Sequence, residues 1–266
     1  MYKKKKNRME EKILKQLSGK AFDIAEYVFG DNEIKALQDY ANIVSIKRLG
    51  YNDHGPVHMR KAALNAVVMF DLLKAGNVKF SLEKEEQGTV EDSKIAVFLA
   101  AILHDVGMTI SRTNHEFMSV TLAAPIIERI LEQFYHGDLS KRVIMKSLII
   151  EGIFGHMATQ PIHSLEAGLV LVGDGCDMEK GRARITTLLS DQPKVGDIHK
   201  YSSTAIQNVQ LMVGEKKPIR IHVQMKQSVG FFQVEEVLYP KIAVSPVKKY
   251  IELVANVEGQ ELKKYL

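Results

Sequence analysis

Apolar residues recur at three- and four-residue spacing along most of the first 190 residues, and this period is typical of α-helices that pack in a core. Ala63, Val67, Phe70 and Leu73 show the spacing most clearly. A polar stretch over residues 84–93 predicts a loop. The pattern predicts further helices over residues 95–104, 115–134, 141–156 and 164–180.

The pattern changes after residue 193. Residues 219–225 alternate strictly between apolar and polar side chains, which is the period of a half-buried strand. Residues 228–234 and 250–254 predict further strands, and residues 235–239 a short helix that Pro240 ends. The predicted fold class is therefore mainly α, a helical bundle followed by a small C-terminal α+β domain.

These patterns divide the chain into three regions. Residues 1–20 form a basic tail and a leading helix, residues 21–192 the helical domain, and residues 193–266 the α+β domain. The alternating strands leave an exposed sheet edge, which favours a homodimer.

Composition places the chain among ordinary globular proteins. Of its 266 residues, 45% are hydrophobic and 26% are charged, so a sizeable core can form. No apolar run approaches the roughly 20 residues that span a bilayer, and the start lacks the apolar stretch of a signal peptide. A single cysteine, Cys176, excludes an intramolecular disulfide and fits a reducing compartment. We therefore expect a cytoplasmic protein without a membrane partner.

The net charge of +4 is concentrated at the start of the chain. Without this basic tail the remainder is close to neutral. The tail can make a weak contact with nucleic acid, and a solvated, frayed terminus is the alternative. Its positive charges are Lys3, Lys4, Lys5, Lys6 and Arg8.

Histidines and aspartates are concentrated at a few places in the helical region. His104 and Asp105 end a strongly apolar helix, and His58 opens another. Ionisable groups at the edge of a core need a strong partner, because burial of an unpaired charge is costly. A divalent metal is the natural partner for mixed imidazole and carboxylate ligands. Further candidates are His54, His115, His156, Asp174 and Asp177.

Each candidate also has a simpler interpretation. A lone histidine near a helix end, such as His115 or His156, is commonly a structural residue, and Asp177 could be exposed on the surface. Glu116 could be a charge that the helix dipole favours. Cys176 is better explained as a packing residue than as a nucleophile, and His163 as a loop residue.

At these residues the chain resembles the HD-domain superfamily of metal-dependent phosphohydrolases, over about residues 40–190. His58, His104, Asp105 and Asp174 match the ordered signature His … His-Asp … Asp. The resemblance implies that these four residues hold a first divalent ion, with Asp105 as a bridging ligand. Extra histidines of many members correspond to His115 and His156 at a second ion. One or two ions are expected, and Mn, Fe, Mg, Co and Zn all suit these ligands.

The resemblance also implies an activity, in which metal-activated water attacks a phosphate ester of a small phosphorylated or nucleotide-like substrate. Asp105 is then catalytic as well as a ligand. His54 precedes His58 by four residues, as in the His-x-x-x-His of cyclic-nucleotide phosphodiesterases, and is the candidate general acid. The residues expected to neutralise phosphate charge are Arg112, Lys180 and Arg182.

Two other functions stay open at this point. The chain could be a non-catalytic module that binds metal or nucleotide and acts on a partner through its C-terminal domain. It could also associate with nucleic acid through the basic tail. The absence of Gly-Tyr-Pro after His156 argues against the cyclic-di-GMP branch of the superfamily.

Overall fold

The computed structural model describes residues 7–178 and 198–266, and in these ranges it confirms the predicted fold class. The first range contains a π-helical turn (Val44–Arg48) and a 3-10 turn (Val106–Thr109) in addition to its α-helices. The helices of the first range are α1 (Arg8–Leu14), α2 (Gly19–Gly30), α3 (Asn32–Ile43), α4 (Pro56–Ala75), α5 (Ser81–Lys84), α6 (Val90–Leu103), α7 (His115–Phe134), α8 (Leu139–Gly155) and α9 (Leu165–Gly175).

Helices α6 and α9 form the centre of the bundle. Helix α6 packs against α4, α8 and α9, and α9 also packs against α4 and α8. Every residue from Ile95 to Leu103 is at most 1% exposed, as expected for a helix that is apolar on all sides. The polar residues at the carboxyl ends of α6 and α9 therefore lie inside the protein.

Two helices begin at residues that suit a helix start. Pro56 lies in the first turn of α4, where its missing N–H costs nothing. Asn114 precedes α7 with φ 57°, a left-handed conformation that asparagine tolerates better than most residues. The predicted helix over residues 115–134 has the observed bounds of α7.

The C-terminal range contains a helix and a four-stranded sheet, α10 (Ile198–Ala205), β1 (Ile206–Met212), β2 (Ile219–Met225), β3 (Ile251–Val257) and β4 (Lys263–Lys264). Strand β2 pairs antiparallel with β1 and parallel with β3, and β4 pairs antiparallel with β3. Ile219, Ile221, Val223 and Met225 are fully buried. The alternation over residues 219–225 therefore predicted a strand correctly.

The strand predicted over residues 228–234 is wrong. A 3-10 turn (Ser228–Gly230), α11 (Phe231–Gln233), a π-helical turn (Val234–Leu238) and α12 (Tyr239–Val244) follow one another there. This segment joins β2 to β3, and two parallel strands require a crossover connection. Pro240 lies in the first turn of α12 and does not end a helix. Strands β1 and β4 were not predicted.

The loop predicted over residues 84–93 is shorter than expected, since α5 ends at Lys84 and α6 begins at Val90.

One hydrophobic cluster includes buried side chains of the bundle and of the C-terminal sheet. Because residues 179–197 lie outside the described ranges, the boundary at residues 192–193 stays a prediction. Among the described helices, none combines the length and apolarity needed to cross a membrane.

Candidate metal centre

The structure brings together all six residues that the sequence predicted as metal ligands. They come from the ends or starts of five helices and are almost completely buried, with exposures between 0% and 5%. The six residues are His58, His104, Asp105, His115, His156 and Asp174.

Asp105 lies at the centre of this cluster, and its two oxygens face different histidines. Asp105 Oδ2 is 3.2 Å from His58 Nε2 and 3.5 Å from His104 Nε2. Asp105 Oδ1 is 3.0 Å from His115 Nε2 and 3.4 Å from His156 Nε2. The cluster therefore has two halves that share one carboxylate.

Asp174 belongs to the first of these halves. Its Oδ1 lies 3.1 Å from His58 Nε2 and 3.6 Å from His104 Nε2. We call His58, His104, Asp174 and the Oδ2 of Asp105 the first half. His115, His156 and the Oδ1 of Asp105 form the second half.

The histidines of each half face each other through the same ring nitrogen. His58 Nε2 is 3.2 Å from His104 Nε2, and His115 Nε2 is 3.0 Å from His156 Nε2. Two imidazole nitrogens that both carry a lone pair repel at this distance, so a proton or a cation must lie between them.

The partners of the other ring nitrogens assign the tautomers. His58 Nδ1 lies 2.7 Å from Asp177 Oδ2, and the shortest hydrogen-bond contact of each remaining Nδ1 is with a backbone oxygen. These oxygens belong to Ala101 for His104, Ile153 for His156 and Arg112 for His115, at 2.7, 2.6 and 3.0 Å. In His58, His104 and His156 the Nδ1–H therefore donates outwards, while the Nε2 atoms of all four rings point into the cluster, as in metal-binding histidines.

These residues fit a metal ion. Ligand atoms about 2.0–2.2 Å from a cation lie roughly 3.0–3.6 Å from one another in tetrahedral or octahedral coordination, which is the spacing found here. Among the described residues, Asp105 Oδ2 is one of the few buried side-chain atoms without a hydrogen-bond partner. Two groups of ligands, one in each half and both including Asp105, could each hold an ion, with ligand atoms within 4.8 Å of one another.

Charge inside the cluster shifts the pKa values of its members in opposite directions. Burial lowers the pKa of His104, but the carboxylates of Asp105 and Asp174 outweigh it and raise this pKa to about 9. Burial lowers the pKa of His156 to about 4, and Asp105 only partly opposes this effect. Although burial alone would raise them, the pKa values of both carboxyls are held well below the ordinary range by neighbouring cationic groups, above all His104 for Asp105 and Lys241 for Asp174.

The turn after α6 explains how Asp105 reaches His115. A Cβ atom at Gly107 would lie 2.1 Å from the backbone oxygen of His115 and 2.4 Å from the backbone nitrogen of Ser119. The Gly107 N–H donates to Ser119 Oγ at 2.8 Å. Only glycine permits this close approach of the two backbones, which places the first turn of α7 beside Asp105.

Two of the predicted catalytic or substrate-binding residues lie near the cluster. The ring of His54 is 5.7 Å from the ring of His58, and its Nδ1 is 2.7 Å from the backbone oxygen of Asn52. Arg112 Nη1 lies 3.2 Å from His115 Nδ1, at the second half. Lys180 and Arg182, also predicted to contact substrate, lie outside the described residues, as do Lys3, Lys4, Lys5 and Lys6 of the basic tail.

Two residues of the site, Asp177 and Glu116, differ from their simpler interpretation, and a third, Lys241, was not predicted. Asp177 is buried against His58 and is not a surface residue. Glu116 is also buried, and it accepts a hydrogen bond of 3.0 Å from Thr159 Oγ1. Lys241 was not predicted at all; its Nζ donates to Asp174 Oδ2 and, at 2.9 Å, to the backbone oxygen of His156. No local motif marks Lys241, whereas the spacing of Asp174 and Asp177 by one helical turn was a usable signal for Asp177.

The fold and the cluster define a mainly helical protein with a buried histidine–aspartate centre that could bind metal. No protein-family model matches the chain, and no solved structure matches it. The chain is 34% identical over 253 residues to the uncharacterized protein MJ1020 of Methanocaldococcus jannaschii, with 95% of each chain covered. It therefore belongs to the same protein family as that archaeal protein.

Proposed function

We propose that this protein is an HD-type metal-dependent phosphohydrolase, which cleaves a phosphomonoester or phosphodiester of a nucleotide-like substrate. One observation supports the proposal above all others. Four buried Nε2 atoms converge on the two oxygens of Asp105, while each Nδ1 faces an oxygen outside the cluster. Burial of these nitrogen and oxygen atoms so close together costs the folded protein free energy unless cations bind between them.

The proposal assigns the cluster to two divalent ions that share Asp105. His58, His104 and Asp174 hold one ion in the first half, and His115 and His156 hold the other. When bound, such a pair of ions supplies Lewis acidity to phosphate oxygens and activates water for in-line attack. The residues themselves contribute a fixed geometry, because the cluster lies in the core and each imidazole is oriented by an outer oxygen.

Residues beside the cluster have separate roles in the proposal. His54 donates a proton to the leaving group, since its ring lies next to that of His58. Arg112 neutralises phosphate charge at the second half, where its guanidinium is next to His115 and 5.8 Å from the ring of Tyr51. Arginine suits this role, because its planar fork of donors matches phosphate oxygens.

The test combines elemental analysis of the purified protein with a screen of phosphoesters. We expect bound divalent metal and metal-stimulated release of phosphate or nucleotide. Both His104→Ala and Asp105→Ala should abolish this release while the far-ultraviolet circular dichroism stays that of a folded protein. Equal turnover by the wild type and the two folded variants would overturn the proposal.

The regulatory module is the second candidate, and one contact favours it. Lys241 lies in the C-terminal segment, which we define as the helical connection between β2 and β3, and it contacts Asp174. A change at the cluster can therefore reach this segment directly. This function predicts stoichiometric metal without turnover of any phosphoester in the screen. The homodimer and the nucleic-acid contact of the basic tail stay predictions, for which size-exclusion chromatography and salt-dependent binding by a variant lacking residues 2–8 are the tests.

A further inference from the structure

The C-terminal segment contributes a charged side chain to the cluster in the bundle. Lys241 lies on α12, and its side chain is only 12% exposed. Its Nζ donates to Asp174 Oδ2 and to the backbone oxygen of His156. One ammonium group therefore contacts the ligand residue Asp174 of the first half and the backbone of a ligand residue of the second.

The contact with Asp174 decides which oxygen faces the histidines. Asp174 Oδ2 is occupied by Lys241, while Oδ1 lies 3.1 Å from His58 Nε2. A carboxylate without such a partner can rotate or offer both oxygens to an ion. Lys241 thus holds Asp174 in the orientation of a one-oxygen ligand.

The packing of α9 shows that the fold provides space for Lys241 beside Asp174. A Cβ at Gly175 would lie 3.1 Å from Lys241 Cδ, so the glycine makes room for the lysine stem. Two turns earlier, a Cβ at Gly168 would lie 2.7 Å from Ser245 Oγ. The segment from Leu238 to Val247 therefore lies directly against the helix that carries Asp174.

We propose that Lys241 is a positioning residue of the metal centre, and that through it the docked C-terminal segment sets the metal affinity of the first half. The inference rests on the metal centre of the proposed function, but it does not depend on the reaction. Because coupling between two equilibria is reciprocal, metal binding must also tighten the docking of α12 on α9.

The test uses the full-length, metal-free protein and Co²⁺, whose visible absorption reports both affinity and the number of ligands. Lys241→Met removes the charge and keeps much of the stem. We expect it to weaken the affinity of one Co²⁺ site by about 10–100-fold, the usual loss when an outer partner of a ligand is removed. The spectrum at saturating Co²⁺ should also change, since Asp174 Oδ2 becomes available as a ligand.

Two matched variants separate positioning from general stability. Lys241→Arg keeps the charge and should retain most of the affinity. Lys248→Met removes an exposed lysine of the same C-terminal segment and should change neither affinity nor spectrum. If Lys241→Met does not fold, Lys241→Gln replaces it, because the amide can still donate to the oxygen of His156.

Hydrogen exchange supplies the reciprocal measurement. Co²⁺ should slow amide exchange over residues 239–244 in the wild type and have a smaller effect in Lys241→Met. Wild-type affinity, spectrum and protection in Lys241→Met would overturn the inference. A wild type that binds no Co²⁺ would instead overturn the metal centre of the proposed function, so the two failures are distinguishable.

Discussion

The two halves of the cluster contain the same kind of imidazole in opposite electrostatic surroundings. His104 in the first half has Asp105 and Asp174 beside it, and its pKa is raised to about 9. His156 in the second half is next to Asp105 and other histidines, and its pKa is lowered to about 4. Both rings are fully buried, so the placement of the carboxylates, not the degree of burial, decides the direction of the shift.

The different electrostatic surroundings of the two halves affect how strongly each half binds a metal ion. The first half contains two carboxylates, one of them paired with Lys241, and attracts a cation strongly, but in the metal-free protein a proton on His104 competes with that cation. The second half offers a neutral His156 without a competing proton and with less negative charge. We therefore expect a tighter, pH-dependent ion in the first half and a weaker one in the second.

The largest expected effect comes from Asp105→Asn, which removes the one charge that both halves share. Loss of an outer contact alone lowers metal affinity by about 10–100-fold, so loss of this ligand should exceed about 100-fold for each ion, and turnover should fall at least as far. Calorimetric metal titration measures both affinities.

A matched comparison distinguishes this shared role from a local one. His156→Ala should weaken only the second ion, whereas Asp105→Asn should weaken both. Asp71→Asn alters a carboxylate that pairs with Lys94 away from the cluster and should have no effect. An Asp105→Asn protein that keeps one ion at wild-type affinity would show that the carboxylate does not join the halves.

The second prediction concerns pH, and its effect on affinity is smaller for each pH unit. Between pH 6 and 9, binding in the first half should release about one proton from His104, and the affinity should rise about tenfold per pH unit. His156 adds no such slope in this range because its pKa is about 4. Titrations in buffers of different ionisation enthalpy count the protons, and equal release for both ions would contradict the comparison.

The same pKa shifts predict the stability of the metal-free protein. The raised pKa of His104 stabilises the fold below the ordinary value of 6.5, and this contribution is lost as the pH rises through about 9. The lowered pKa of His156 acts in the opposite way, since its contribution is present above 6.5 and is lost as the pH falls towards 4. The lowered pKa values of Asp105 and Asp174 add to the loss in acid. Thermal unfolding with a chelator should therefore show a maximum near pH 6.5.

The six residues of the cluster were predictable from sequence because each of them lies at the end or start of a strongly patterned helix. The apolar run before His104 and the one before Asp174 predicted that these side chains enter the core, and both are buried. Lys241 was not predictable in this way. Its position depends on the crossover between β2 and β3, and the pattern of residues 228–234 resembles a strand although the segment is helical. Local periodicity cannot show that two parallel strands need a connection there.

The smallest expected effect concerns Asp177, which contacts the first half of the cluster from outside. Asp177 Oδ2 lies 2.7 Å from His58 Nδ1, whereas in the other three histidines of the cluster the nearest hydrogen-bond partner of Nδ1 is a backbone oxygen. Asp177→Asn keeps an acceptor but removes the charge that makes His58 a stronger ligand. We expect the affinity of the first ion to fall by about tenfold and that of the second to stay unchanged. Asp177→Ala should cost more, because His58 then also loses its orientation. If both variants weakened the two ions equally, Asp177 would act on the fold of the whole cluster and not on His58.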